Sequence, residues 1–252
     1  MKTHAITLFK RLAAVVLFAP TLAMAAGGAL HLDKAPISTD QQKLQHGAEL
    51  FVKYCLNCHS ASAVRYTALR GIGFDDQTIT EKLLFTSDKV GDLMIVALGR
   101  TDAEAWFGIA PPDLSVIARA KASEFGSGGD YLYTYLRSFY KDPNRPTGWN
   151  NKTFPNVGMP HALWDMQGEQ TAVEVEDEHG VKTIELVAPA VPGSMSAEQY
   201  DEAVADLVSF MVWMGEPVAG KRMFIGIFVI IFLAGYYVLT HKLGKSYWKN
   251  IH

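Results

Sequence analysis

The chain has 252 residues, two cysteines and a formal net charge of −3. The charge is unevenly spread: residues 26–220 hold 15 basic against 26 acidic residues, a net of −11, and the remaining charges, at the two ends, are all basic. Two cysteines exclude a disulfide-stapled scaffold, and the acidic body excludes a nucleic-acid-binding surface and favours a basic protein partner.

At the N-terminus Lys2, Lys10 and Arg11 precede an apolar run from Leu12 to Ala19, and Ala23-Met24-Ala25 offers small residues for cleavage before Ala26. This pattern predicts a secretory signal over residues 1–25; the other reading, an uncleaved anchor helix, has a short apolar run for a span. Residues 26–37 read as irregular. Ser38 with Gln41, or Thr39 with Gln42, gives a capping-box signal. A helix is predicted next, because Leu44, Ala48, Phe51, Val52 and Cys55 recur at helical spacing. Gly47 lies on that helix, where glycine costs about 1 kcal/mol relative to alanine unless a close helix crossing needs it.

The helix leads into Cys55-Leu56-Asn57-Cys58-His59. C-x-x-C-H is the attachment pattern for c-type haem. Two thiols three residues apart lie on one side of a helical turn and reach the two vinyl groups of a single porphyrin. His59 comes at once after them and offers an imidazole to the iron. A thioredoxin-like redox pair lacks a βαβ context here, and half a zinc site lacks a second ligand pair. Attachment of haem c in bacteria takes place outside the cytoplasm, in keeping with an export signal.

Further on, Arg65 to Gly73 reads as a loop or short helix, and 80–98 is too mixed to assign. Next comes Ala110-Pro111-Pro112-Asp113-Leu114-Ser115. The double proline removes two N–H groups and leaves rigid carbonyls free to accept. One of them can take Nδ1–H of His59, holding its tautomer; the plainer reading is a helix-entry turn capped by Asp113 or Ser115. Asp130 to Tyr140 is aromatic and predicted helical. Asp142 to Gly148 is rich in turn residues. Met159 then stands in a loop bounded by Gly158 and Pro160, able to bring a thioether to a porphyrin; a methionine can equally be core, and His161 is a rival ligand.

Thr171–Glu176 and Val181–Val187 alternate around Asp177-Glu178-His179-Gly180, which predicts a β-hairpin in an acidic insertion over 166–190. The insertion reads either as a solvated feature without a role or as an aid in capturing a basic electron acceptor. Ser196 with Gln199 starts a predicted helix over 196–214, with Tyr200, Val204, Leu207, Val208 and Met211 on one face and Gly215 and Pro217 ending it. Met223 to Leu239 is an uncharged apolar run; seventeen residues at 1.5 Å each make about 26 Å, and with its flanks it can cross a bilayer core of about 30 Å. A transmembrane helix is therefore predicted over 221–241, with a basic tail, 242–252, on the cytoplasmic side.

Taken together, the C-x-x-C-H motif, Ala110-Pro111-Pro112-Asp113-Leu114-Ser115 with Arg119 close behind, Gly158-Met159-Pro160, and Lys221-Arg222-Met223 opening a single span resemble the cytochrome c1 family. The resemblance implies a mainly α, cytochrome c-like haem domain with long loops and a small β-hairpin insertion, plus one C-terminal transmembrane helix. It implies one haem c held by Cys55 and Cys58, with His59 and Met159 as axial ligands and Pro111, Pro112, Arg119 and Tyr131 around the haem. In that fold the first helix crosses the last helix of the haem domain, so Gly47 is expected to pack near Phe210 or Trp213. The implied work is electron transfer from the Rieske iron–sulfur protein to a soluble or tethered cytochrome c, beside cytochrome b, in a dimeric bc1 complex of a bacterial inner membrane, the haem domain facing the periplasm. Two other readings stand beside it: an independent tethered monohaem cytochrome feeding a terminal oxidase or reductase, and a haem enzyme or gas sensor with an open distal site.

Overall fold

The computed structural model describes residues 30–176, 180 and 182–250. The predicted signal over 1–25, and the hairpin tip at Asp177, Glu178, His179 and Val181, lie outside the described residues. The haem domain is mainly helical, with three two-stranded antiparallel sheets among the described residues.

Helix α1 (Gln41–Leu50) is capped by Asp40, whose carboxylate accepts from the amides of Gln42 and Lys43. Neither expected Ser/Thr pair is the cap, because Asp40 sits one residue closer to the first turn. The helix widens into a π turn, Phe51–Cys55, where the Leu56 amide bonds the Phe51 carbonyl at 3.0 Å. A π turn inserts one residue and rotates the chain beyond it; here it re-aims the Cys55–His59 segment.

Strand β1 (Ala61–Arg65), a 3-10 turn (Tyr66–Ile72), helix α2 (Asp76–Lys82) and the two-residue strand β2 (Leu93–Met94) come next, β1 and β2 pairing antiparallel. Helix α3 (Arg100–Phe107) ends at Gly108, which takes φ 75°. One helical turn, α4 (Ile117–Ala120), precedes α5 (Gly128–Arg137), which opens on a complete capping box between Ser127 and Asp130. The expected aromatic helix thus starts two residues earlier and stops at Ser138. The chain then turns into strand β3 (Phe139–Lys141), paired with β4 (Trp149–Asn151) across the expected turn region.

After the short α6 (Trp164–Gln167), strands β5 (Gly168–Glu176) and β6 (Lys182–Pro192) form the predicted hairpin, longer than its alternation suggested. Glu169 and Gln170 root it: the Glu169 carboxylate is 2.9 Å from the Lys141 ammonium, and Gln170 donates to the carbonyls of Arg137 and Phe139. Helix α7 (Ala197–Gly215) carries the Ser196/Gln199 capping box and buries Tyr200, Val204, Leu207, Val208, Phe210 and Met211. Helix α8 (Ala219–Tyr247) contains the predicted span and runs on past residue 241, since no glycine-proline pair or cap stops it there. It is long and apolar enough to cross a membrane, and none of its residues is buried by the rest of the chain.

The core is centred on the crossing of α1 and α7. A Cβ built on Gly47 would lie 2.9 Å from the Phe210 Cβ, inside the carbonyl group of Asp206, so the two backbones touch where the sequence expectation has them. Phe51 and Phe210 pack beside it with ring centroids 5.5 Å apart, both fully buried. His46 Nδ1 is 2.8 Å from the Asp206 carboxylate, tying the helices on their outer side. Arg137 binds Asp201 through both carboxylate oxygens and Asp33 through a third N–H, which fastens α5 to α7 and to the N-terminal segment. This frame is what holds the C-x-x-C-H turn in place.

Candidate haem site

Cys55 to His59 form a single closed turn, the amides of Cys58 and His59 both bonding the Cys55 carbonyl at 3.1 and 2.9 Å. Both thiols are free and half-buried. Burial pushes the Cys55 thiol up to about 12, with Cys58 alongside adding to it, and burial raises Cys58 as well.

The segment after the turn is zipped to the double-proline segment. The Leu114 amide donates to the Ser60 carbonyl at 2.8 Å, the Ser62 amide to the Asp113 carboxylate at 2.7 Å, and the Ala63 amide to the Ser115 hydroxyl at 3.0 Å. His59 Nδ1 lies 2.7 Å from the Pro112 carbonyl oxygen. An imidazole whose Nδ1–H donates there keeps Nε2 unprotonated and available to a metal. Burial pulls the His59 pKa down, against the Pro112 bond and the nearby Asp113 carboxylate, so the ring is neutral at physiological pH. Asp113 serves the zipper and accepts the Ser115 amide at 2.8 Å, but the helix that follows, α4, has Val116 at its N-cap position and no side-chain cap, so the carbonyl-acceptor reading holds and the helix-cap reading does not.

Met159 is half-buried, and the Tyr135 hydroxyl donates to its sulfur at 3.4 Å. Burial, with Tyr131 beside it, raises the Tyr135 phenol well above its ordinary value, so it stays a donor. Tyr131 stacks on Tyr135 at 5.9 Å, one helical turn away on α5. A Cβ on the neighbouring Gly158 would lie 3.1 Å from the Phe107 carbonyl and 3.3 Å from Ile109. The Met159 loop therefore passes beside residues 107–109, which run directly into Pro111 and Pro112. Met159 thus lies against Tyr135, its loop runs beside residues 107–109, and His59 is bonded to Pro112.

His161 is placed differently. It is 2% exposed, stacked on Phe139 at 4.8 Å and edge-on to Trp149 at 5.1 Å, and burial pulls its pKa down to about 4. It belongs to an aromatic slot beneath the Met159 loop. The Arg119 guanidinium lies 3.0 Å from Glu216, just past the end of α7, and Glu216 is shared with Arg222 of α8. The cation that the structure sets over Tyr131 is Lys121, 4.9 Å from the ring centroid and 5.8 Å from that of Phe154. Lys121 and Tyr135, which the sequence reading did not single out, lie against Tyr131 and Met159. Tyr135 had a signal, its i+4 spacing from Tyr131; Lys121 had only its place two residues after Arg119.

The residues present fit a haem. They offer a neutral imidazole directly after two unpaired thiols on one turn, and a half-buried thioether on the Met159 loop. Ile109 and Phe154 remain 63% and 51% exposed beside that set, apolar surface of the kind a flat apolar group covers.

The family model described as "Cytochrome C1 family" matches residues 31–92 and 98–191, running through the hairpin. The chain is similar to the ammonia monooxygenase gamma subunit of Nitrosomonas europaea, 45% identical over 246 residues, 97% of this chain and 99% of the relative. It is similar to cytochrome c1 of Allochromatium vinosum, 43% identical over 246 residues, 96% of this chain and 98% of the relative. Cytochrome c1 of Rhodospirillum rubrum is 25% identical over 272 residues, covering 93% of this chain and 96% of that protein. With a haem-binding turn, a tautomer-fixing proline carbonyl and a family match over more than half its length, this chain belongs to the cytochrome c1 family.

Proposed function

We propose that the chain is the haem-carrying electron-transfer subunit of a quinol–cytochrome c reductase (bc1) complex, anchored in a membrane by α8. The observation that carries the reading is the 2.7 Å contact between His59 Nδ1 and the Pro112 carbonyl, because it readies a neutral Nε2 directly after a paired-thiol turn. Cys55 and Cys58 hold one haem c through two thioether bonds. His59 Nε2 and Met159 Sδ would be the two side-chain atoms that ligate its iron. Haem c, when bound, supplies a one-electron Fe(III)/Fe(II) couple, and a thioether ligand favours its reduced state. Tyr135 donates to the Met159 sulfur and holds it in place; Lys121, with Tyr131 beneath it, would supply positive charge for a propionate.

The partners are those of the family: cytochrome b and a Rieske iron–sulfur subunit in a dimeric complex, the electron coming from the Rieske protein and leaving to a soluble or tethered cytochrome c. The acidic body, net −11 over 26–220, supports a basic acceptor. The predicted signal over 1–25 and the basic residues Lys242, Lys245 and Lys249 beyond the apolar run support a bacterial inner-membrane protein with its haem domain in the periplasm and its C-terminus in the cytoplasm. A second reading, from the name of the Nitrosomonas relative, makes the chain a subunit of a monooxygenase. With His59 and Met159 both offered to the iron, a haem held here would carry electrons rather than bind a reacting substrate. The test is to add a quinol to membranes carrying the full chain and record the c-type haem spectrum over time. Reduction that needs the quinol site, then reoxidation on adding ferricytochrome c, is expected. A c-haem that stays oxidised while the b-haems reduce would remove the reading.

A further inference from the structure

The loop from Lys152 to Pro160, which carries Met159, contains no helix or strand. A thioether on such a loop stays in place only if the backbone on either side of it is fixed. Part of that fixing is done by β4: Asn151 Oδ1 accepts the amides of Thr153 and Phe154 at 2.9 and 3.0 Å, and Asn150 Oδ1 accepts the amide of Asn156 at 2.8 Å.

Asn156 is the point of strain. It has φ 63° and is the one non-glycine residue with positive φ among the described residues. A side chain in the left-handed region costs about 1 kcal/mol or more unless its surroundings hold it there. Arg145 supplies the hold. Its Nη2 donates to the carbonyls of Asn156 and Val157 at 2.8 and 3.4 Å, and its Nη1 reaches Asn156 Oδ1 at 3.3 Å. Its Nε is buried and meets no acceptor among the described residues. An arginine in a turn normally keeps its guanidinium in water; this one has turned inward onto a backbone two and three residues before the methionine. Arg145 is itself held, since its amide bonds the Asp142 carbonyl and its carbonyl takes the Gly148 amide.

We propose that Arg145 is a positioning residue for the sixth iron ligand: by clamping the carbonyls of Asn156 and Val157 it holds the loop in the conformation that presents the Met159 sulfur. This rests on the reading of Met159 as axial ligand. A lysine offers a flexible point donor in place of a planar fork and replaces it only in part.

The test uses the full chain in detergent-solubilised membranes, as parent, Met159→Ala, Arg145→Leu and Arg145→Lys. The readings are haem content, the sulfur-to-iron charge-transfer absorption of the oxidised form, carbon monoxide binding to the reduced form, and midpoint potential. Met159→Ala is expected to abolish the absorption and bind carbon monoxide fully. Arg145→Leu is expected to retain haem, lose part of the absorption, bind carbon monoxide in part and show a lower potential, with Arg145→Lys between it and the parent. If Met159→Ala behaves so but Arg145→Leu matches the parent in absorption, carbon monoxide binding and potential, the clamp is refuted and the ligand reading stands. If Met159→Ala keeps the absorption, the ligand reading falls and the clamp with it. Should Arg145→Leu fail to assemble, Arg145→Lys and Asn156→Ala decide by the same readings: a weakened absorption supports the clamp, and parental spectra in both refute it.

Discussion

Replacing Gly47 by alanine tests the frame on which the haem turn rests. An added Cβ would lie 2.7 Å from the Asp206 carbonyl carbon and 2.9 Å from the Phe210 Cβ. Carbon atoms prefer about 3.5–4.0 Å, so α1 and α7 must part by about 1 Å. The atoms met are backbone and Cβ, which no rotamer change can move aside. Overpacking of this kind costs about 1–3 kcal/mol, and the separation also loosens the fully buried Phe51–Phe210 pair, which argues for the upper end. Alanine gains about 1 kcal/mol of helix propensity in return. The expected net loss is about 2 kcal/mol, equal to a fall in Tm of about 4–8 °C for a chain of this size. Far-ultraviolet circular dichroism of the haem-loaded protein in detergent, heated through unfolding, reads it. An unchanged or higher Tm would mean that the propensity term alone operates and that the two backbones do not meet at Gly47.

Other outcomes rest on the same structure. Tyr135→Phe removes the O–H that donates to the Met159 sulfur and should lower the midpoint potential while leaving haem attachment unchanged; an unaltered potential would show that the contact does not act on the ligand. Burial alone would raise the Asp130 carboxyl, but the Ala35 amide, the Ser127 hydroxyl and amide, and the Lys34 ammonium outweigh it and bring it down to about 2. A carboxyl lowered in the folded state stabilises above its ordinary pKa near 3.8 and stops doing so as pH falls towards 2. Asp130→Asn should therefore be less stable than the parent at about pH 6, with the gap narrowing between about pH 4 and 2; a gap independent of pH would assign the loss to packing. Electron transfer to a basic cytochrome c should slow steeply as salt rises, because the acidic body steers the encounter over a screening length of about 10 Å at 0.1 M. A rate flat in ionic strength would contradict that steering.

The parts of this structure that were legible in the sequence are those whose signals are local. The Cys55–His59 turn is a contiguous motif, α7 has a capping box and a long apolar stripe, α8 is apolar on every face, and β5–β6 alternate around a glycine-bearing turn. Gly47 was readable because a glycine inside a helix needs a neighbour to explain it. Illegible parts depend on contacts distant in the chain. Strands β2, β3 and β4 have two or three residues each and exist through their partners. Helix α3 is short and mixed in composition, with Trp106 69% exposed, so no periodic face announces it. Within the site, Pro112 was readable because a proline pair strips N–H groups from the backbone. Lys121 and Arg145 were not: a cation's partner is set by the tertiary fold, which gave Arg119 to Glu216 and turned Arg145 inward onto the Met159 loop.

The central claim is that this chain works as the haem c subunit of a bc1 complex. Gentle detergent extraction of the full chain with an affinity tag, then haem spectra and subunit identification on the purified material, tests it most directly. The account predicts c-type and b-type haem in fixed ratio together with an iron–sulfur protein. A chain that purifies with c-type haem alone, or with monooxygenase subunits and no b-type haem, would contradict it.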